Sequence, residues 1–517
     1  MDSKEKFNEA PYDLTVGVSS PSASSGAESL RSKTSSHSSA SLRSGYFAKG
    51  DKMKKGSATP LILIIATSFI FIIYGLLFVL GIQMDNSNRQ TASEKSLSIA
   101  EAGVNYYKWH LAHDPADFKD GQEGDGPYIH EYKDPQGDTI GYYSLIITPP
   151  QDGSTIATIE STGWTTQYPK VKRIIKAQYG IPSLAEFSFL SNASTWYGSG
   201  ITVNGKVHSN NGIRMDGTNT SIVSSAQEEY MCGSETGCSP PTQKPGVWGA
   251  GGDSGLWQFP VPIVDFDTIA VNFDDMRDAA IESGLHLEDS DESGYHLIFS
   301  NDGTVRINKV ISTSNIRGYS VPGQGLGSLG QGGCRDTNQV IQSETFFGTY
   351  NLSENPIIFA EDDLWVEGTV RGRVTVAAVR FPIQSSNAVI WIPNNITYTA
   401  HDGSDVLGLI AQNNIYFAKN IPDYFQVDAI LMAQKGTVIR HYYYNGCGGT
   451  QNAVRQQLTI NGTLISYYKS YWNFGSAPNS GFRVRVINFD NNTLYNPPPY
   501  FPTSGQYEFI SWSEERN

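Results

Sequence analysis

The sequence predicts a mainly β protein carried on one long N-terminal transmembrane α-helix, with an antiparallel meander after the helix and an irregular parallel β-solenoid beyond it. Three observations lead there. An uncharged apolar run, Leu61 to Ile82, passes without a break into an amphipathic helix. Short stretches of alternating apolar and polar residues then follow, divided by Gly, Pro and Asp turns. Farther on, paired β segments with glycine at the bend recur.

The apolar run is about as long as an α-helix must be to cross a ~30 Å hydrocarbon core at ~1.5 Å per residue. A secretory signal would be shorter and end in a small-residue cleavage site, whereas this run leads into Asp85, Asn86, Asn88 and Arg89. Helix periodicity continues through Leu97, Ala100, Val104, Tyr107 and Leu111, with Glu94, Lys95, Glu101 and Lys108 between them. Pro115 restricts Asp114 and sets the stop near His113.

Residues 1–52 are rich in serine and poor in large apolar groups, so they are expected to be disordered. Lys49, Lys52, Lys54 and Lys55 cluster before the span, which places that side in the cytoplasm and the body outside. Lys54-Lys55-Gly56 before the apolar run resembles a class III leader, and Ala100-Glu101-Ala102-Gly103 is similar to the signature of PilX-type minor pilins and pilin-like proteins. The resemblance covers about residues 53 to 113. It implies cleavage by prepilin peptidase between Gly56 and Ser57, and association with other pilin-like subunits through the helix. Leu61 stands where major pilins carry glutamate, and Pro60 sits near the start, so the resemblance implies a minor rather than a bulk subunit. A start at Met53 would give the short leader Met53-Lys54-Lys55-Gly56 and remove residues 1–52; both starts stay open.

Strand patterns at Gly141–Pro149, Ser154–Thr165 and Val171–Tyr179 read as a meander whose apolar face meets the helix stripe, with Gly103 allowing close approach. From Glu186 a second architecture begins. Val203-Asn204-Gly205-Lys206-Val207 returns as Val366-Glu367-Gly368-Thr369-Val370 and as Ile460-Asn461-Gly462-Thr463-Leu464. Ile410-Ala411-Gln412 is echoed at Met432-Ala433-Gln434, the length of one solenoid coil. An irregular antiparallel sandwich is the competing reading. The glycine-rich stretch 214–351 breaks the rhythm and reads as a loop-rich insertion. Pro497–Pro502 and the aromatic strand around Tyr507–Trp512 read as a cap over an open solenoid end. Leu364–Ala378, Leu407–Asn414, Asn496–Pro502 and Ile510–Trp512 also resemble the region that accompanies such pilin-like N-termini in uncharacterised bacterial proteins.

The expected organisation is therefore a tail and leader at 1–56, the helix at 57–113, the meander at 114–181, the solenoid at 182–480 and the cap at 481–517. A chain of 517 residues exceeds one ordinary core. With 51 glycines, 12% aromatic and only 17% charged residues, it suits turn-rich β structure. A net charge of −14 argues against nucleic acid, which demands a basic face.

All four cysteines fall on the outer side. Cys232 with Cys238 and Cys334 with Cys447 is the simplest of three possible pairings. Their spacing does not suit zinc, and no cofactor is expected. Asp265 with Asp267, or Asp362 with Asp363, are the nominees for a polysaccharide-cleaving acid and base. Asp362 and Asp363, as neighbours on a strand, would point to opposite faces; Asp265 and Asp267 could share one, but without a supporting His, Arg or Lys they read as solvated turn residues. Glu288 to Gly294 resembles half a calcium loop, but Ser300 stands where a bidentate glutamate belongs. Asn192, Asn395 and Asn461 are glycan acceptors only in a eukaryote. His441-Tyr442-Tyr443-Tyr444 offers aromatics for adhesion or for ordinary packing.

The reading is a non-enzymatic, single-pass, pilin-like subunit of a type IV pilus or related surface filament, at its tip and adhesive. The alternative is a membrane-anchored surface solenoid that binds or cleaves polysaccharide.

Overall fold

A computed structural model describes residues 59–151, 153–266, 273–320, 333–383, 385–474 and 478–515, so the expected tail, the Gly56–Ser57 cleavage site and Asp267 lie outside the described residues. The chain divides into two compact units, Met1–Phe78 and Val79–Asn517. Helix α1 (Thr59–His113) begins in the first, where its large apolar side chains are exposed and the membrane-length stretch has no buried share. The rest of α1 belongs to the second unit with two β assemblies.

The smaller assembly is an open antiparallel sheet. Strands β1 (Tyr128–Lys133), β2 (Thr139–Thr148), β3 (Ile156–Thr165) and β4 (Lys172–Gly180) form the meander, and alternation is cleanest in β3, where every second residue is buried. The fifth strand is β5 (Glu508–Glu515), paired antiparallel to β4 from Glu508 opposite Gly180 to Glu515 opposite Ile174. This corrects the expected C-terminal cap. The aromatic strand completes the meander because β4 offers it an unpaired edge, and Arg173 on β4 holds Glu514 in an ion pair.

Between β4 and β5 the chain builds a 21-stranded sheet. Strands Leu285–Leu287, Ile357–Ala360, Arg373–Ala378, Val406–Ala411, Tyr424–Ala433 and Val454–Ser466 pair in parallel in that order. Val454–Ser466 then pairs with Phe189–Ser191, which is followed by Val207–Ser209, Val223–Ser225 and Trp257–Gln258. The chain thus enters and leaves in the middle of the stack. Its two connections to the small sheet run side by side, with Ser183 N donating to Leu494 O at 2.8 Å and Ser504 N to Pro182 O at 2.9 Å.

The 22-residue echo is a ladder register, since Ile410 lies opposite Met432 and Ala411 opposite Ala433. Gly205, Gly368 and Gly462 take φ of 141°, 112° and 145°, a region open to glycine at little cost. Strand Val406–Ala411 is buried on both faces, hence its unbroken apolar run. Leu409 and Leu431 point into the interior. Ile410 and Met432 point outward into a second core covered by α2 (Phe273–Ser283) and by Phe501 of the proline segment.

The 214–351 stretch is less of an insertion than expected. Ile213–Met215, Thr218–Asn219, Val223–Ser225 and Trp257–Gln258 continue the parallel rungs. The departures are α2, an antiparallel hairpin of Glu229–Cys232 with Thr242–Pro245, and an antiparallel excursion, Thr304–Ser320 and Gly333–Asn351, that leaves from Gly294–Ser300, itself a parallel neighbour of Leu364–Val370. Nor is 481–517 a separate cap: Gly481–Asn488 is a parallel rung between Val454–Ser466 and Ile201–Asn204. The proline segment does lie across a packed surface, with Arg373 donating to Asn496 O at 2.9 Å and Thr375 Oγ1 to Pro499 O.

Candidate functional site: a helix seated on a five-stranded sheet

Past the span, α1 carries a stripe of small residues, Ala92, Ser96, Ala100 and Gly103, all buried. Ile99, Val104, Tyr107 and Leu111 flank it and pack on Tyr143, Leu145, Ile159, Ile175 and Ala177. Small groups let two backbones approach closely, and the fit is tight. A Cβ on Gly103 would overlap Ser161 Oγ and stand 2.8 Å from Tyr143 Cδ2. One on Gly163 of β3 would collide with the backbone of Ser96 and Ala100.

Polar contacts lock the same seat. Ser96 Oγ donates 2.7 Å to Ala92 O and 2.9 Å to Val171 O, two acceptors for one proton. Arg173 Nη1 donates to Ser93 Oγ at 2.8 Å while its guanidinium binds Glu514, so one side chain ties α1, β4 and β5 together. At the helix end Tyr107 Oη donates to Asp117 O at 2.8 Å, and burial pushes its phenol well above the ordinary range. The Asp117 carboxylate accepts from Lys119 N, Gly121 N and His110 Nε2; these bonds outweigh desolvation and hold it below the ordinary carboxylate value.

Of the signature residues, Ala100 is fully buried and Gly103 is at the tightest contact, while Ala102 is half-buried. Glu101 is exposed and lines a cleft of about 340 Å³ with Asn105, Lys108, Tyr179, Phe509 and Trp512. Ser96, Gly163 and Arg173 were not singled out in the sequence. The four- and three-residue spacing of Ala92, Ser96, Ala100 and Gly103 is the signal that could have found the stripe.

The other nominated residues lie elsewhere. Cys232 is bonded to Cys238 and Cys334 to Cys447, with Cα separations of 5.6 and 5.7 Å. Asp362 and Asp363 sit at a corner between strands, not within one, so both reach Arg380, contrary to the opposite-faces expectation. Asp362 also accepts from Ser290 N and Oγ, and Asp363 from Val389 N at 2.9 Å. Burial raises the Asp363 carboxyl to about 6 against the pull of Arg380. Both carboxylates clamp the corner backbone. Asp265 is exposed. Among the described residues no group of three or more His, Cys, Asp or Glu side chains is arranged to hold a metal ion, and Asp289 Oδ1 accepts instead from Asp291 N at 2.8 Å. His441 and Tyr443 belong to the interior, leaving Tyr442 and Tyr444 half-buried and stacked at 5.0 Å.

The architecture defined here is a mainly β body with one long apolar N-terminal helix seated on an open sheet. No family model matches the chain, and no curated protein matches it. Among solved structures it is similar to the competence-associated pilin ComZ from Thermus thermophilus, with 14% identity over 82% of this chain and 98% of that one and a TM-score of 0.29.

Proposed function

We propose that the chain is a minor pilin-like subunit of a type IV pilus or related surface filament, carried at the tip. The single observation that carries the reading is the continuous α1: an exposed membrane-length apolar segment runs into a small-residue stripe that seats a five-stranded sheet. In this reading prepilin peptidase cuts between Gly56 and Ser57, the apolar half of α1 associates with other pilin-like subunits, and the N-terminus faces the cytoplasm. Two disulfides support an outer, oxidising location for the body. The tip position follows from bulk, because the stack inserted between β4 and β5 would obstruct packing along a shaft.

The test is the N-terminal sequence and intact mass of the protein from native membranes, with and without prepilin peptidase. A mature chain beginning at Ser57 supports the reading. A chain that keeps Lys54 and Lys55 overturns it and favours the anchored surface solenoid, whose cleaving form requires activity on polysaccharide that Asp265→Asn abolishes.

A further inference from the structure

The stack's outer surfaces differ in what covers them. One is buried under α2 and the proline segment. Another carries Trp196, Arg214 and Trp248 in register, with the Arg214 guanidinium 4.3 and 4.8 Å from the two rings. There the disulfide loop is pinned by Arg214 and Lys469, which donate to Thr236 O and Glu235 O.

The third surface is regular and partly exposed. Asp428, Asn461, Asn488 and Asn204 lie in register on successive rungs. Their amides form a relay in one direction, Asn204 Nδ2 to Asn488 Oδ1 (2.8 Å), Asn488 Nδ2 to Asn461 Oδ1 (2.8 Å) and Asn461 Nδ2 to Asp428 Oδ1 (2.7 Å). Each such amide keeps a second N–H and a second lone pair for an outside partner. Beside this column runs another, Gln426, Thr459, Val486, Thr202 and Thr218, also in register and partly or fully exposed.

We infer that this face binds a neutral, β-linked polysaccharide laid across the rungs. Hydroxyl and amide groups repeat along it every ~4.8 Å, the spacing of neighbouring strands, close to the rise of one sugar in an extended β-linked chain. Charge complementarity selects a neutral polymer. In a chain of net charge −14, the one carboxylate in the two columns is Asp428, fully buried and hydrogen-bonded to Tyr398 N, Gln426 and Asn461. Arg483 and Arg485 share the rung of Val486 and Asn488 but alternate with them along the strand, and Arg485 pairs with Leu458 and Ile201, outside both columns. Tyr424, 70% exposed at the end of its rung in line with Gln457 and Val484, supplies a ring on which a sugar can stack. The inference does not depend on the helix entering a filament.

The test uses the full chain in detergent, incubated with microcrystalline cellulose, chitin and a β-glucan, with pectate and duplex DNA as anionic contrasts. Retention on at least one neutral polymer, insensitive to added salt, is expected. Thr202→Val with Thr218→Val keeps shape and removes two hydroxyls, which should weaken retention about tenfold at an unchanged melting temperature, whereas the Thr→Ser pair should stay near wild type. Ile129→Glu on the small sheet should leave binding unchanged. Retention by no neutral polymer, retention only on anionic polymers and lost in salt, or equal retention by the Val pair would each overturn the inference.

Discussion

Replacing Gly103 with alanine sets two physical effects against each other, and the sign of the result decides whether α1 is seated as described. Helix propensity alone favours alanine over glycine by about 1 kcal/mol. Packing opposes it, because the new methyl would overlap Ser161 Oγ and stand 2.8 Å from Tyr143 Cδ2. Overfilling a tight contact costs ~1–3 kcal/mol, so the net expectation is a loss of up to about 2 kcal/mol. Gly163→Ala should cost more, toward about 3 kcal/mol, because the colliding atoms are backbone of Ser96 and Ala100 and no helix propensity offsets the clash. Gly81→Ala, with nothing within 4 Å of the added methyl, is the control. Hydrogen exchange on the full chain in detergent, read at the amides of β2, β3 and β4, measures the opening free energy of the sheet without unfolding the stack. A rise in protection of about 1 kcal/mol for Gly103→Ala would refute the seated helix.

Three further outcomes are expected. Asn488→Ala removes two relay hydrogen bonds where the returning rung meets the entering one, and should cost ~1–3 kcal/mol with the largest loss of exchange protection at Ile201–Asn204. Reduction of Cys334–Cys447, which closes 113 residues, should destabilise by about 5 kcal/mol on the chain-entropy account, against about 2 for the six-residue Cys232–Cys238 loop; paired Cys→Ser variants compared by denaturant midpoint check the order. His296 lies between Glu344 (2.8 Å) and Glu367 (3.1 Å); burial opposes its charge, but the hydrogen bonds to the two carboxylates win and raise its pKa, while its own bond to Glu367 lowers that carboxyl. The raised imidazole stabilises fully below its unfolded value of 6.5, fading as pH rises through its folded value, and the lowered carboxyl stabilises above 4.5, fading as pH falls. The melting difference between wild type and His296→Gln should therefore peak between those values and shrink by pH 9 (about two units above the ordinary imidazole pKa).

Local pattern carried much of the fold. The apolar run, the stop at His113, three of the four meander strands and the glycine bends at 205, 368 and 462 were legible because each depends on residues near in sequence. The pairing of β5 with β4 was not, since nothing in the stretch around Trp512 distinguishes an edge over the stack from an edge 330 residues earlier. The corner placing of Asp362 and Asp363 was missed for a related reason: Arg380, which gathers them, reaches the corner only after a further coil. The amide relay was half visible. Asn204 and Asn461 stood in the repeated motif, but Asn488 enters by a register that only the assembled rungs define.

The placement of β5 after the stack has a consequence for how the molecule is made. Chains emerge N-terminus first, so α1 and β1 to β4 are made with the β4 edge bare, and every strand of the stack must follow before β5 arrives. Arg173 has no Glu514 until that moment. A product truncated anywhere in the stack, or one whose two connecting segments fail to come together, displays an open strand edge beside the helix. Completion of the stack is thereby reported at the five-stranded sheet, whose last strand is filled only in a finished chain.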